Sequence, residues 1–250
     1  EGLGVSKDYD EAFRLLSKAA GAGEPGAQYN LGTMYQRGEG IPQDPKRAFE
    51  LFLGAARSGE ARAMNNVAFM YHQGLGVEKE SAEAVRWYER AVAEGESMAM
   101  LNLGRLSYER KDYLRAFNLF RRAAETGNAS AMNSLAHLYK EGHGVQKNHS
   151  QALYWFLKAA DLGNPTAMNN VGYLKEQGWG TQKNEVEAFS WYRRGAEAKD
   201  PGAMANLGRM YENGLGAKKD MGQALAWYRR AASLGEETAK RRLEALGEHP

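Results

Sequence analysis

Small and apolar residues recur along the chain at helical spacing. Taking Ala63 as position 1, positions 5, 8, 9 and 12 hold Val67, Met70, Tyr71 and Gly74. That spacing puts apolar, aromatic and small side chains on one arc of a 3.6-residue helix, with polar residues opposite. A second arc follows, in which Ala84 precedes the large pair Trp87–Tyr88 by three and four residues. The pattern predicts a helix, a turn and a second helix.

The unit repeats. Position 1 falls at Ala27, Ala63, Ala99, Ala131, Ala167, Ala203 and Ala239, at intervals of 36, 36, 32, 36, 36 and 36 residues. Full repeats therefore run 27–62, 63–98, 99–130, 131–166, 167–202 and 203–238. Residues 1–26 read as the tail of an earlier repeat and 239–250 as the first helix of a later one, so 1–250 is expected to be a single solenoid that begins inside an array. A repeat of this size cannot bury its apolar face alone, so neighbours must stack. Position 6 is Gly or Ala in every full repeat (Gly32, Ala68, Gly104, Ala136, Gly172, Gly208), which invites close approach by the second helix. The Met at position 2 (Met64, Met100, Met132, Met168, Met204) lies beside the buried arc and reads as core filler.

Helix ends are marked as clearly. Asp8, Asp44, Asp112, Asn148, Asn184 and Asp220 stand where the second helix needs an N-cap, and Glu24, Asn164 and Asp200 precede Pro25, Pro165 and Pro201 at the start of first helices. Gly23, Gly59, Gly95, Gly127, Gly163 and Gly235 are placed to close second helices in the left-handed region. An all-α fold is the expectation.

These residues follow the pattern Ala-x-x-x-Leu-Gly-x-x-Tyr-x-x-Gly-x-Gly-Val, then an acidic cap, Ala, Trp-Tyr and Ala-Ala, and in this the chain resembles the Sel1-like repeat family, relatives of the tetratricopeptide repeats. The resemblance implies a right-handed α-α superhelix (a solenoid) with first helices lining its concave side. It also implies adaptor roles in assembling other proteins.

Two repeats depart from the pattern. The one at Ala99 is four residues short, reading SYERKDYLRAF where its neighbours have Gly-x-Gly-Val, so a tighter connection is expected. The one at Ala167 has Lys175 for Tyr, Gly195 for Ala, Lys199 for the closing Gly, and Trp179 between its turn glycines. Trp179 reads first as packing back over a neighbouring helix, with an interface anchor as the rival.

Composition narrows the function classes. With 43% hydrophobic and 26% charged residues the chain has a globular balance, and a net charge of +2 gives no pull toward nucleic acid. No Cys is present, which excludes thiol nucleophiles and thiolate zinc sites and leaves the compartment open. The first residues, EGLGVSKDYD, are no signal peptide, and no run approaches the 18 apolar residues of a spanning helix. A soluble protein without direct membrane insertion is expected, periplasmic or exported if the source is bacterial.

The chemical signals are weak. Gly-x-Gly recurs once per turn without a preceding strand, so it reads as punctuation and not as a phosphate cradle. His137, His143 and His149 lack convergent partners for zinc, and no metal or cofactor is expected. Some cysteine-rich members of the family have been associated with penicillin binding or β-lactam hydrolysis. Here the cysteines are missing, no Ser has Lys three residues later, and Ser-Asp-Asn and Lys-Thr-Gly are absent. Basic residues at Lys18, Arg90, Arg122, Lys158, Arg194 and Arg230 read as complements to helix C-termini whose stems cover Trp and Tyr rings.

Position 4 carries the strongest functional signal: Asn30, Asn66, Asn102, Asn170 and Asn206, with Ser134 in the remaining repeat. Positions 3, 4, 7 and 11 share an arc pointing away from the core. An amide donates and accepts at once, so these side chains could hold an extended peptide backbone or bridge neighbouring helices. The varied residues at position 7 (Phe69, Arg105, His137, Tyr173, Arg209) would set selectivity, the arginines favouring an acidic segment. The sequence is thus read as a non-enzymatic adaptor that binds a peptide or partner protein in its concave groove. Its rivals are a cell-wall-related or β-lactam hydrolase of the same fold and a purely architectural spacer.

Overall fold

A computed structural model describes residues 8–248, and all regular structure among them is α-helical. The chain divides into two compact units, Glu1–Arg110 and Lys111–Pro250. The first holds α1 (Tyr9–Gly21), α2 (Pro25–Arg37), α3 (Pro45–Arg57), α4 (Ala61–Gln73), α5 (Ser81–Ala93) and α6 (Ser97–Glu109). The second holds α7 (Tyr113–Glu125), α8 (Ala129–Glu141), α9 (His149–Asp161), α10 (Pro165–Gln177), α11 (Glu185–Glu197), α12 (Pro201–Asn213), α13 (Met221–Ser233) and α14 (Glu237–Ala245). Each unit is a solenoid of helix–turn–helix repeats in which the even-numbered helices are first helices.

Local chemistry sets the helix ends. Asp8, Asp44, Asp112, Asn148, Asn184 and Asp220 each accept a hydrogen bond from the backbone N–H three residues on, at 2.9–3.1 Å. Each such cap is worth about 1 kcal/mol. Asn164 and Asp200 do the same for α10 and α12. Glu24 differs: it precedes Pro25 but makes no side-chain cap bond, in keeping with the preference for short oxygen-bearing side chains at this place. The closing glycines 23, 59, 95, 127, 163 and 235 have φ between 83° and 96°. Lys199 takes the same left-handed backbone at φ 66° without being glycine.

Within each unit the second helix packs on the first helix of its own repeat and on that of the next, and first helices also meet directly, α4 with α6 and α10 with α12. The position-1 alanines from Ala63 to Ala239 and the second-helix alanines Ala48, Ala84, Ala152, Ala188 and Ala224 have no exposed surface. The five position-2 methionines are buried, as core filler should be. Position 6 shows why it must be small. A Cβ added at Gly32, Gly172 or Gly208 would lie 2.9, 2.8 or 2.8 Å from the rings of Phe52, Tyr192 and Tyr228. The rings fill the space that the missing side chain leaves, at the density proteins require.

The Gly-x-Gly turn has a packing role. Its second glycine lies on the start of the preceding repeat's second helix; a Cβ at Gly180 would come within 2.5 Å of the His149 carbonyl. The residue between the glycines covers the same place. Trp179 stacks on His149 with centroids 4.7 Å apart and planes at 9°, and His143 stacks on Tyr113 at 4.4 Å and 9°. Trp179 thus packs back over a neighbouring helix. The repeat at Ala99 lacks this turn, and residues 110–112 join α6 to α7 where residues 38–44 join α2 to α3. Lys111 in this short connection adopts φ 62°.

Candidate binding face

The arc of positions 3, 4, 7 and 11 lies along the first helices, and in both units its amides bridge successive first helices. In the first unit Asn102 Nδ2 donates to Asn65 Oδ1 at 3.0 Å, and Asn65 Nδ2 in turn to Asn66 Oδ1 at 3.4 Å. In the second, Asn170 donates to Asn133 at 3.1 Å and Asn206 to Asn169 at 2.9 Å. The amides therefore bridge α4 to α6, α8 to α10 and α10 to α12. Each bridge takes one of the two N–H groups of the position-4 amide. Asn30 is exposed. Ser134, in the repeat without the amide, bonds its own helix through Ser130 O at 3.0 Å.

Position 7 is heterogeneous. Phe69 and Arg105 share a pocket of about 160 Å³ in the first unit with His72, Tyr88, Asn102 and Glu109. Arg105 is exposed there, and no acid among the described residues lies at ion-pair distance from it. Arg209 is in the opposite situation. It forks onto Glu176 at 2.8 and 2.7 Å, although its type and position suggested a site for an incoming acid, as at Arg105. Tyr173 meets Trp179 edge to face at 5.4 Å, with Lys140 Nζ 5.8 Å from its ring. His137 is half-buried; burial, reinforced by Lys140, holds its imidazole below the usual histidine range.

Sequence reasoning missed the carboxylates at position 10. Glu176 is 8% exposed and accepts from Tyr192 Oη at 2.8 Å as well as from Arg209. Burial pushes its carboxyl up, but the bonds from Arg209 and Tyr192 outweigh that and hold it below the ordinary glutamate value. Glu212 repeats the arrangement with Tyr228 at 2.8 Å and with Arg242 in an ion pair. Asn206, Arg209, Glu212, Tyr228 and Arg242 line a cavity of about 450 Å³. A sequence clue existed: Tyr, in place of Phe, follows Trp in these repeats.

On the second helices, the guanidinium groups of Arg90, Arg194 and Arg230 lie 4.2, 4.1 and 4.7 Å from the rings of Trp87, Trp191 and Trp227. The basic ladder is thereby engaged with its own aromatics. No helix among the described residues is long and apolar enough to cross a membrane.

Seven successive segments, 1–24, 25–60, 61–96, 97–128, 129–164, 165–200 and 201–236, match the Sel1 repeat. The chain belongs to the Sel1 repeat family. Two solved Sel1-type structures are similar to it over most of its length. One is a protective antigen of uropathogenic Escherichia coli strains displaying this fold, with 31% identity and a TM-score of 0.81 over 94% of this chain and 52% of the other. The chain thus spans about half the length of that relative. The other is a Sel1 repeat protein from Oxalobacter formigenes, with 28% identity and a TM-score of 0.81 over 89% of this chain and 99% of the other. An immunity protein of Pseudomonas aeruginosa, at 19% identity and a TM-score of 0.57 over 86% of this chain and 83% of the other, shares the fold alone. No curated protein sequence matches the chain. Sel1 repeats commonly serve in protein–protein interaction, and the family is generally non-enzymatic.

Proposed function

We propose that the chain is a non-catalytic adaptor whose first-helix face receives an extended segment or loop of a partner protein. The observation that carries this reading is the pocket between α4 and α6. An exposed Arg105 stands beside Phe69 and Asn102 there, so a cation, an apolar surface and an amide converge on one place. Arg105 is exposed and has no acid of its own chain within ion-pair distance among the described residues, so its charge is available to an incoming carboxylate. The amide ladder supports the reading without carrying it. A net hydrogen bond is worth about 0.5–1.5 kcal/mol and association costs about 4–15 kcal/mol, so binding needs the varied position-7 side chains too.

The test compares capture of partners by the parent chain with capture by Arg105→Glu and by Phe69→Ser. Circular dichroism and thermal melts establish that both variants fold. Loss of the same partner from both variants is the expected result. Undiminished capture by both would remove this face as the binding surface.

A further inference from the structure

The two units carry the same three-part arrangement, complete in one and lacking one part in the other. In the second unit a carboxylate at position 10 (Glu176) accepts from the tyrosine at position 26 of its own repeat (Tyr192) and from the arginine at position 7 of the next (Arg209). In the first unit the corresponding residues are His72, Tyr88 and Arg105, all lining the pocket of about 160 Å³. The hydroxyl and the guanidinium are in place, and the carboxylate is missing.

The identity of position 26 supports this correspondence. It is Phe52 and Phe156 where the next first helix carries Phe69 and Tyr173 at position 7. It is Tyr88 and Tyr192 where the next first helix carries Arg105 and Arg209. At the last step Tyr228 also shares its acid with an arginine, but from another place: position 7 is Ala245, and Arg242 at position 4 reaches Glu212. A hydroxyl shielded from bulk water needs an acceptor or a held water, so a tyrosine in place of a phenylalanine beside an arginine marks a place where an acceptor fits. Tyr88 is 2% exposed and its hydroxyl has no hydrogen-bond partner among the described residues. His72 leaves its Nδ1 buried and unbonded as well. One water takes roughly 30 Å³ in the liquid, so the pocket has room for a carboxylate and its stem.

We propose that the His72–Tyr88–Arg105 pocket is a receptor for a glutamate side chain of a partner protein, which takes the place that Glu176 holds between Tyr192 and Arg209. The proposal rests on the adaptor reading and gives its partner an acidic anchor. Glu109, four residues beyond Arg105 on α6 and also lining the pocket, is a competing acid within the chain. It is exposed and makes no ion pair with Arg105.

The probe is N-acetyl-glutamate amide, with N-acetyl-glutamine amide as its uncharged match, titrated into the whole chain while NMR follows the arginine Nε–H signals. The glutamate probe should shift Arg105 saturably and leave Arg209 unmoved. The glutamine probe should bind about tenfold more weakly or worse, since a charge-assisted bond is lost. Glu109→Gln should tighten binding. His72→Glu should supply the missing acid internally and abolish the response, with a melting temperature at or above the parent's. Should that variant fail to fold, Tyr88→Phe, which keeps the ring, should weaken binding instead.

An unmoved Arg105, equal shifts at Arg105 and Arg209, or an unchanged titration in folded His72→Glu would overturn the proposal. Binding of N-acetyl-glutamine with a free terminal carboxylate, in preference to the glutamate probe, would overturn the assignment to a side chain. Capture of a partner that survives Arg105→Gln but not Phe69→Ser leaves the adaptor reading standing and removes this site.

Discussion

Arg209 on α12 grips Glu176 on α10 through both terminal nitrogens, at 2.8 and 2.7 Å, across 33 residues of sequence. Tyr192 completes the carboxylate's shell from the second helix. Three helices of two successive repeats are thereby tied at one buried oxygen pair. The Arg209 side chain is 37% exposed, so the pair is worth less than a fully buried one. Glu176→Gln should cost about 2 kcal/mol and Tyr192→Phe about 1 kcal/mol. Urea unfolding followed by circular dichroism measures both, and unshifted midpoints would mean that the cluster contributes nothing.

Titration should show two separate pH windows, one from these carboxylates and one from His137. Glu176 and Glu212 are held below the ordinary glutamate value. Their contribution is therefore fully present above the unfolded value of about 4.3 and is lost as pH falls through the folded value. His137 is also lowered, by burial first and then by Lys140. It stays neutral in the fold while the unfolded chain takes up a proton, so stability declines as pH falls below about 6.5. Melts from pH 8 to pH 3 should show both declines. Glu176→Gln should flatten the lower one and His137→Gln the upper.

Two glycines in the left-handed region should respond unequally to a methyl group. Gly163 (φ 83°) has open space around it, whereas a Cβ at Gly180 (φ 71°) would meet backbone atoms of His149 at 2.5 Å and Ser150 at 2.7 Å. Gly163→Ala should cost about 1 kcal/mol, the backbone strain alone. Gly180→Ala should cost about 3 kcal/mol, because a neighbouring helix must shift. Equal losses would mean that the turn does not fix the spacing between repeats.

Lys199 offers the reverse experiment. It holds φ 66° at a place that glycine occupies in the other repeats. Lys199→Gly should raise stability by about 1 kcal/mol through relief of left-handed strain, less the entropy glycine adds to the unfolded chain. A lower melting temperature would show that the lysine side chain contributes more than its backbone costs.

Much of the fold was legible because each repeat states the same physics again. Ala, cap and glycine positions fix helix ends by local chemistry, and Asp44 or Gly163 can be read without knowing what packs nearby. The amide ladder was half legible. Its arc followed from helical angles, but choosing between bridging and binding needed the position of Asn65 against Asn102. Glu176 was not legible as a site because position 10 also holds Gln36, His72 and Lys140. Its role depends on residues 16 and 33 places away. Only the stacked helices bring Tyr192 and Arg209 to it, and only that picture gives Arg105 and Tyr88 their meaning.

The ladder can be apportioned between stability and binding by a double-mutant cycle. Asn206 donates to Asn169 at 2.9 Å, and both side chains are partly buried. Asn206→Ala and Asn169→Ala should each cost about 1 kcal/mol, and the double variant should cost less than their sum because one bond is removed only once. Asn30 supplies the control. It is exposed, so Asn30→Ala should leave the melt within about 0.5 kcal/mol of the parent. If the position-4 amides also hold a partner's backbone, Asn30→Ala and Asn206→Ala weaken partner binding alike, although only the second lowers stability. If binding instead follows the loss of stability and Asn30→Ala binds like the parent, the ladder is a structural seam and selectivity belongs to position 7 alone.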